Sequence, residues 1–129
     1  MPEKEKEIGG VCRVKLEGRK TRIRTEESNL CNMVADIVKT QLKVDFVLLN
    51  AAGIRKYDLT PAGPISLGFI KELLPHNDKL IQMQVPGRLF KALLEEGLDK
   101  YPEPDTCFPV VAGLRFEFDP RNPANHRVT

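Results

Sequence analysis

Ser28-Asn29-Leu30-Cys31-Asn32-Met33-Val34-Ala35-Asp36-Ile37-Val38-Lys39-Thr40-Gln41-Leu42, then Asp45-Phe46-Val47-Leu48-Leu49, then Asn50-Ala51-Ala52-Gly53-Ile54-Arg55, is the stretch that decides the fold class. Leu30, Met33, Val34, Ile37, Val38 and Leu42 fall on one face of a 3.6-residue period. Ser28 or Asn29 can accept from the free N–H groups at the start of that helix. The next apolar run has the length and composition of a buried strand, and it ends in a turn of small residues. A helix leading into a buried strand predicts an α/β or α+β domain.

The flanking sequence continues the alternation. Upstream, Cys12, Val14 and Leu16 point one way and Arg13, Lys15 and Glu17 the other, which predicts a half-buried strand. Thr21 to Thr25 alternates Arg22 and Arg24 with Ile23 and predicts a second short extended run. Downstream, Ser66 can cap a short helix carrying Leu67, Ile70, Leu73 and Leu74 before Pro75 stops it. Lys79 to Val85 reads as a strand, and Pro86 opens a helix with Leu89, Phe90, Leu93, Leu94 and Leu98 as its apolar stripe. Asp99 to Pro109 is irregular, Leu114 to Phe118 is the last predicted strand, and Asp119 to Thr129 is loop. The expected architecture is a mixed β-sheet with packed helices over residues 11–129. Residues 1–10 read as a charged tail or the stump of a linker. A sheet domain that ends in loop just after a strand predicts a partial domain.

Composition bounds the function. The 129 residues suit one domain, 41% apolar content can fill a core, and 29% charged content suits a surface in water. Twenty Lys+Arg against 18 Asp+Glu leave a charge of +2, so coating of nucleic acid or of a membrane surface is not expected. No apolar run approaches the ~20 residues of a membrane span. Met1 to Glu7 lacks the apolar stretch of a secretory leader, and the compartment stays open. Cys12, Cys31 and Cys107 form no CxxC pair. They read as buried thiols of a reducing compartment, or as one disulfide and a spare thiol if the protein is exported.

Catalytic signatures are sparse. His76 and His126 are the only histidines, and no HExxH, GxSxG, Walker or GxGxxG pattern occurs. No catalytic residue and no metal ligand set is assigned. Two stretches carry candidate binding chemistry. Arg13, Lys15, Arg19, Lys20, Arg22 and Arg24 form a basic run interrupted by one acid, Glu17. It is a solvated face, or its last arginines gather a phosphate just ahead of a helix N-terminus. Asn50 to Arg55 is a tight turn with a solvent-facing arginine, or a ligand rim at the C-terminal end of a strand. In the ligand reading Arg24 and Arg55 face one pocket with Asn50 beside them; in the other, Glu26 and Glu27 neutralise them.

The same residues resemble the C-terminal domain of the 5′-nucleotidase, UDP-sugar hydrolase and cyclic phosphodiesterase family. Arg24-Thr25-Glu26-Glu27-Ser28-Asn29-Leu30 is similar to its R-x-x-E-S/T-N-L, and Leu49-Asn50-Ala51-Ala52-Gly53-Ile54-Arg55 to its L-N-G-G-G-I-R. Phe108 to Phe116 resembles F-P-Q-V-S-G-L-R-F, and Asp119-Pro120 to Arg127-Val128 resembles D-P-x-x-P-P-G-x-R-V. The resemblance implies a nucleotide- or nucleoside-binding domain, with hydrolysis carried by a separate N-terminal metallophosphoesterase domain holding two divalent metals. This chain alone is then expected to hydrolyse nothing.

Carried over, Arg24 and Arg55 would be phosphate-side or ribose-side cations, and Asn50 a nucleoside contact. Gly53 would belong to the turn, and His76 and Asp78 would stand where the family has L-P-F-x-N. Family members are often periplasmic or extracellular. Further strands and a G-G-D-G-Y/F motif normally follow, so an open sheet edge that pairs with a second copy is also expected. A non-catalytic module that kept the fold is the alternative.

Overall fold

The computed structural model describes residues 3–129. Its strands are β1 (Ile8–Cys12), β2 (Leu16–Glu17), β3 (Val47–Asn50), β4 (Leu59–Thr60), β5 (Gly63–Ser66) and β6 (Pro109–Ala112). The helices are α1 (Lys20–Ile23), α2 (Asn29–Leu42), α3 (Leu67–Leu73) and α4 (Gly87–Gly97). Helices packed with antiparallel ladders make this an α+β domain, the class expected from the sequence. The ladders are three two-stranded pairs, β1–β5, β2–β4 and β3–β6, rather than one mixed sheet.

The long helix forms where its periodicity places it. Ser28 Oγ accepts from Cys31 N at 3.2 Å, satisfying one of the orphan donors at the start of α2. Asn29 works differently: its amide donates to Lys15 O at 2.7 Å and accepts from Glu17 N at 2.8 Å, tying β2 to the helix. The buried face is Leu30, Cys31, Val34 and Ala35, whereas Ile37 and Leu42 of the expected stripe are exposed. Ser66 caps α3 by accepting from Phe69 N at 3.1 Å. The core joins α2 to β3 and β6 through Val47, Val110 and Ala112, and takes in Leu16, Ile23, Ile54, Leu73 and Leu98.

Four expectations change. Residues 21–25 are not extended: Lys20–Ile23 is a single helical turn whose one buried residue is Ile23. Lys79–Val85 forms no ladder: Leu80–Val85 lies across a cavity from Val47–Leu49 of β3, and Leu80, Ile81 and Met83 stay exposed. The last sheet strand is β6 and not 114–118; Phe118 bridges only to Val128. Of the expected tail over 1–10, residues 1 and 2 lie outside the described residues. Glu3–Lys6 is a 3-10 turn, and β1 already begins at Ile8. The three cysteines are free, but only Cys31 is buried. Burial pushes its thiol up, against a smaller opposing effect of the Ser28 hydrogen bond.

Residues 119–129 are loop, as expected from the sequence, and that loop docks through Glu95. This buried carboxylate accepts from Arg127 N at 3.1 Å and Val128 N at 2.6 Å. Arg127 reciprocates on the end of α4, its guanidinium donating to the carbonyls of Leu98 and Asp99. Glu95→Ala strands two backbone donors, so it is expected to cost about 2–4 kcal/mol. Glu95→Gln, which keeps an acceptor oxygen, should cost less. Urea unfolding measures both, and equal stability of Glu95→Ala and the parent would contradict the clasp.

Candidate functional site

Two arginines each follow a fully buried isoleucine. Ile23 and Ile54 are 0% and 1% exposed, so Arg24 and Arg55 have little freedom in where their backbones sit. Arg24 closes α1, and its carbonyl accepts from Asp105 N at 3.2 Å. Arg55 leaves the 3-10 turn Ala51–Gly53 that extends β3. That turn is pinned by Ala51 N to Phe108 O and Ala52 N to Thr106 O, both at 3.0 Å, while Arg55 N donates to Leu73 O at 2.7 Å. Three distant segments, around residues 24, 51–55 and 105–108, therefore meet at one place.

The guanidinium groups converge on one oxygen. Arg24 Nη2 donates to the Tyr57 hydroxyl at 3.1 Å and Arg55 Nη1 donates to it at 2.7 Å. Their Cζ atoms lie 5.7 and 5.9 Å from the centre of the Tyr57 ring, and Lys20 Nζ lies 5.5 Å from it. Three cations thus surround a neutral phenol. None of them enters an ion pair among the described residues. The acids that could have neutralised the arginines are engaged elsewhere: Glu26 pairs with Arg22 at 2.9 Å and Glu27 accepts from Asn32 at 2.8 Å.

Arg24 is only 8% exposed, and the Nε of both arginines is buried without a hydrogen-bond partner. A buried charged donor left unpaired costs free energy that an anion would return. The arrangement sets guanidinium donors at fixed positions with excess positive charge, and no carboxylate forms an ion pair with them among the described residues.

The remaining sequence candidates are dispersed. Asn50 lines a cleft with Leu48, Leu93, Glu96, Gly97, Cys107 and Pro109. Gly53 sits in the 3-10 turn with open space where a Cβ would stand, and its φ is not positive. For the same reason Ala51 and Ala52 fit that turn unstrained, and Ala51 is fully buried. His76 and Asp78 are exposed on the loop beyond α3, and neither is hydrogen-bonded to the arginines among the described residues. Tyr57 was missed by the sequence reading. Its only signal was a single aromatic two residues after Arg55. The described residues gather no cluster of three His, Cys, Asp or Glu side chains, so their donor set does not fit the two-metal centre that the resemblance implies for the parent.

The family model described as 5′-nucleotidase, C-terminal domain, matches residues 8–129. A relative in Bacillus subtilis, the trifunctional nucleotide phosphoesterase protein YfkN, is 32% identical over 92% of this chain and 8% of its own length. Protein 5NUC of Lutzomyia longipalpis is 29% identical over 92% of this chain and 24% of its own. The crystal structure of a 5′-nucleotidase precursor from Thermus thermophilus superposes with a TM-score of 0.85 at 33% identity. That match covers 95% of this chain and 24% of the other. The chain therefore spans a quarter or less of the length of these relatives.

Proposed function

Because the chain belongs to the 5′-nucleotidase C-terminal domain family, we propose that it is the substrate-binding domain of a nucleotide-hydrolysing metallophosphoesterase, and that Arg24 and Arg55 hold the substrate's phosphate. The single observation that carries this is the convergence of two guanidinium groups, Arg24 buried and Arg55 half-buried, on one neutral oxygen with no ion-pairing acid among the described residues. A phosphate monoester supplies tetrahedral oxygens that guanidinium forks match, and its charge offsets the excess at Lys20, Arg24 and Arg55.

Asn50, Gly53, His76 and Asp78 are assigned to the nucleoside side of the site. Gly53 suits this because nothing of the protein stands over it. Exposed imidazole at His76 can stack on a base, with less area than a phenyl ring. Hydrolysis belongs to an N-terminal metallophosphoesterase domain that binds the two divalent metals, and residues 11–129 form the binding unit beside it. The unladdered stretch 79–85, with Leu80, Ile81 and Met83 exposed, is the edge to which a second copy would add.

The test is titration of the purified chain with AMP and with inorganic phosphate while following its melting temperature. A ligand bound only to the folded state raises stability by about 2.7 kcal/mol at a hundredfold excess over its Kd. Both ligands are expected to raise the melting temperature, and added NaCl is expected to diminish the shift. An unchanged melting temperature up to saturating AMP and phosphate would overturn the reading.

A further inference from the structure

The site holds one polar group that the phosphate reading leaves unused, the hydroxyl of Tyr57. A phenolic oxygen accepts through its lone pairs and donates one proton. Here Arg24 Nη2 and Arg55 Nη1 both donate to it, at 3.1 and 2.7 Å, which fills its accepting side. The proton must point elsewhere, and no group among the described residues accepts it. Each guanidinium spends one N–H on the phenol out of five, and each still has an unpartnered buried Nε. Arg24 Nη1 and Arg55 Nη2 make no hydrogen bond among the described residues, so an incoming anion can use them without displacing the tyrosine.

The backbone around Tyr57 is also held in an uncommon shape. Lys56, between Arg55 and Tyr57, has φ 59°, the left-handed region that non-glycine residues rarely adopt. Its ammonium pairs with Glu72 at 2.5 Å and lies 5.6 Å from the centre of the Phe69 ring. The kink that sets Arg55 and Tyr57 against each other is thus fastened to α3 from the outside. Strain of this kind persists where the surroundings over-determine it, and it clusters at ligand clamps.

We propose that Tyr57 is a positioning residue of the anion site: its oxygen brackets the Arg24 and Arg55 guanidinium groups at a fixed spacing, and its proton is donated to an oxygen of the bound phosphate. This rests on the assignment of Arg24 and Arg55 to phosphate. The bracket explains how two like charges are kept together before ligand arrives, since a shared neutral acceptor orients both without neutralising either. It also gives the site a donor that is not a cation, so phosphate recognition by this chain does not depend on charge alone.

The test uses the full chain and inorganic phosphate, measured by calorimetry at constant ionic strength. Tyr57→Phe keeps the ring beneath the cations and removes only the hydroxyl. It is expected to bind phosphate about tenfold more weakly. A second readout reports the proton itself. The chain has two tyrosines, Tyr57 and Tyr101, so in Tyr101→Phe the phenol absorbance belongs to Tyr57 alone. Phosphate is expected to perturb that absorbance, and it does so whether or not Tyr57→Phe folds well. Phosphate binding by Tyr57→Phe within twofold of the parent, or an unperturbed phenol at saturating phosphate, would overturn the proposal. If an Arg24→Ala, Arg55→Ala double variant bound phosphate like the parent, the phosphate site itself would be wrong and the tyrosine's role would fall with it. Loss of binding in that double variant beside a neutral Tyr57→Phe removes the tyrosine's role only.

Discussion

Arg55→Ala is expected to weaken binding of AMP by roughly 10- to 100-fold while leaving the melting temperature of the ligand-free chain nearly unchanged. The first half follows from charge-assisted hydrogen bonds, each about 1.5–3 kcal/mol when buried donors meet an ionised acceptor. The second half follows from the ligand-free geometry. Arg24 and Arg55 share one neutral acceptor, with a buried unpaired Nε on each. Removing one cation relieves like-charge repulsion and an unsatisfied donor, which offsets the packing that the side chain loses. Arg55→Lys should fall between, because an ammonium keeps the charge and loses the planar fork. Calorimetry with AMP and thermal unfolding without ligand measure the two halves separately. An Arg55→Ala chain that binds AMP as the parent does, or that melts far below it, would show that Arg55 serves the fold and not the ligand.

The largest expected loss of stability lies at Gly113. This residue follows β6 with φ 83°, and a Cβ placed there would stand 2.3 Å from the carbonyl oxygen of Asp45 and 2.7 Å from Lys39 Cε. The lysine tip can swing away, but the Asp45 carbonyl belongs to the backbone just ahead of β3 and cannot. Alanine adds about 1–2 kcal/mol for the left-handed conformation alone, and the clash takes the total to about 3 kcal/mol or more. The damage falls on the β3–β6 ladder, whose register runs from Val47 opposite Ala112 to Asn50 opposite Pro109. That ladder carries the 51–55 turn and hence Arg55. Gly113→Ala is therefore expected to lower both the unfolding midpoint in urea and the affinity for AMP. Gly53→Ala, with open space and no positive φ, should leave the midpoint within about 0.5 kcal/mol. Comparable midpoints for the two variants would contradict this account.

Much of the fold was legible because it is written locally. The α2 periodicity, its Ser28 cap, the Ser66 cap of α3 and the apolar run of β3 each depend on residues within a few positions of one another. Arg24 and Arg55 could be singled out because a cation before a helix start and one after a buried strand are local features too. Elsewhere the local pattern fits more than one element. Lys20–Ile23 has one buried apolar residue between cations, which fits a strand edge and a single helical turn equally well. Lys79–Val85 has strand composition, yet a strand exists only when its backbone pairs with another, and this stretch is separated from β3 by a cavity.

By itself the sequence determined the α+β class and the main helices, since period, capping and turn chemistry act over one or two turns of chain. Tertiary structure alone decided that Arg24 and Arg55 meet at Tyr57 and that Glu26 and Glu27 are engaged elsewhere. Arg24 and the Tyr57 hydroxyl come from segments 33 residues apart, and their meeting depends on Ile23 and Ile54 both finding places in the same core. Side-chain burial there selects one packing among many with the same local pattern, and only that packing brings the two guanidinium groups to the Tyr57 hydroxyl.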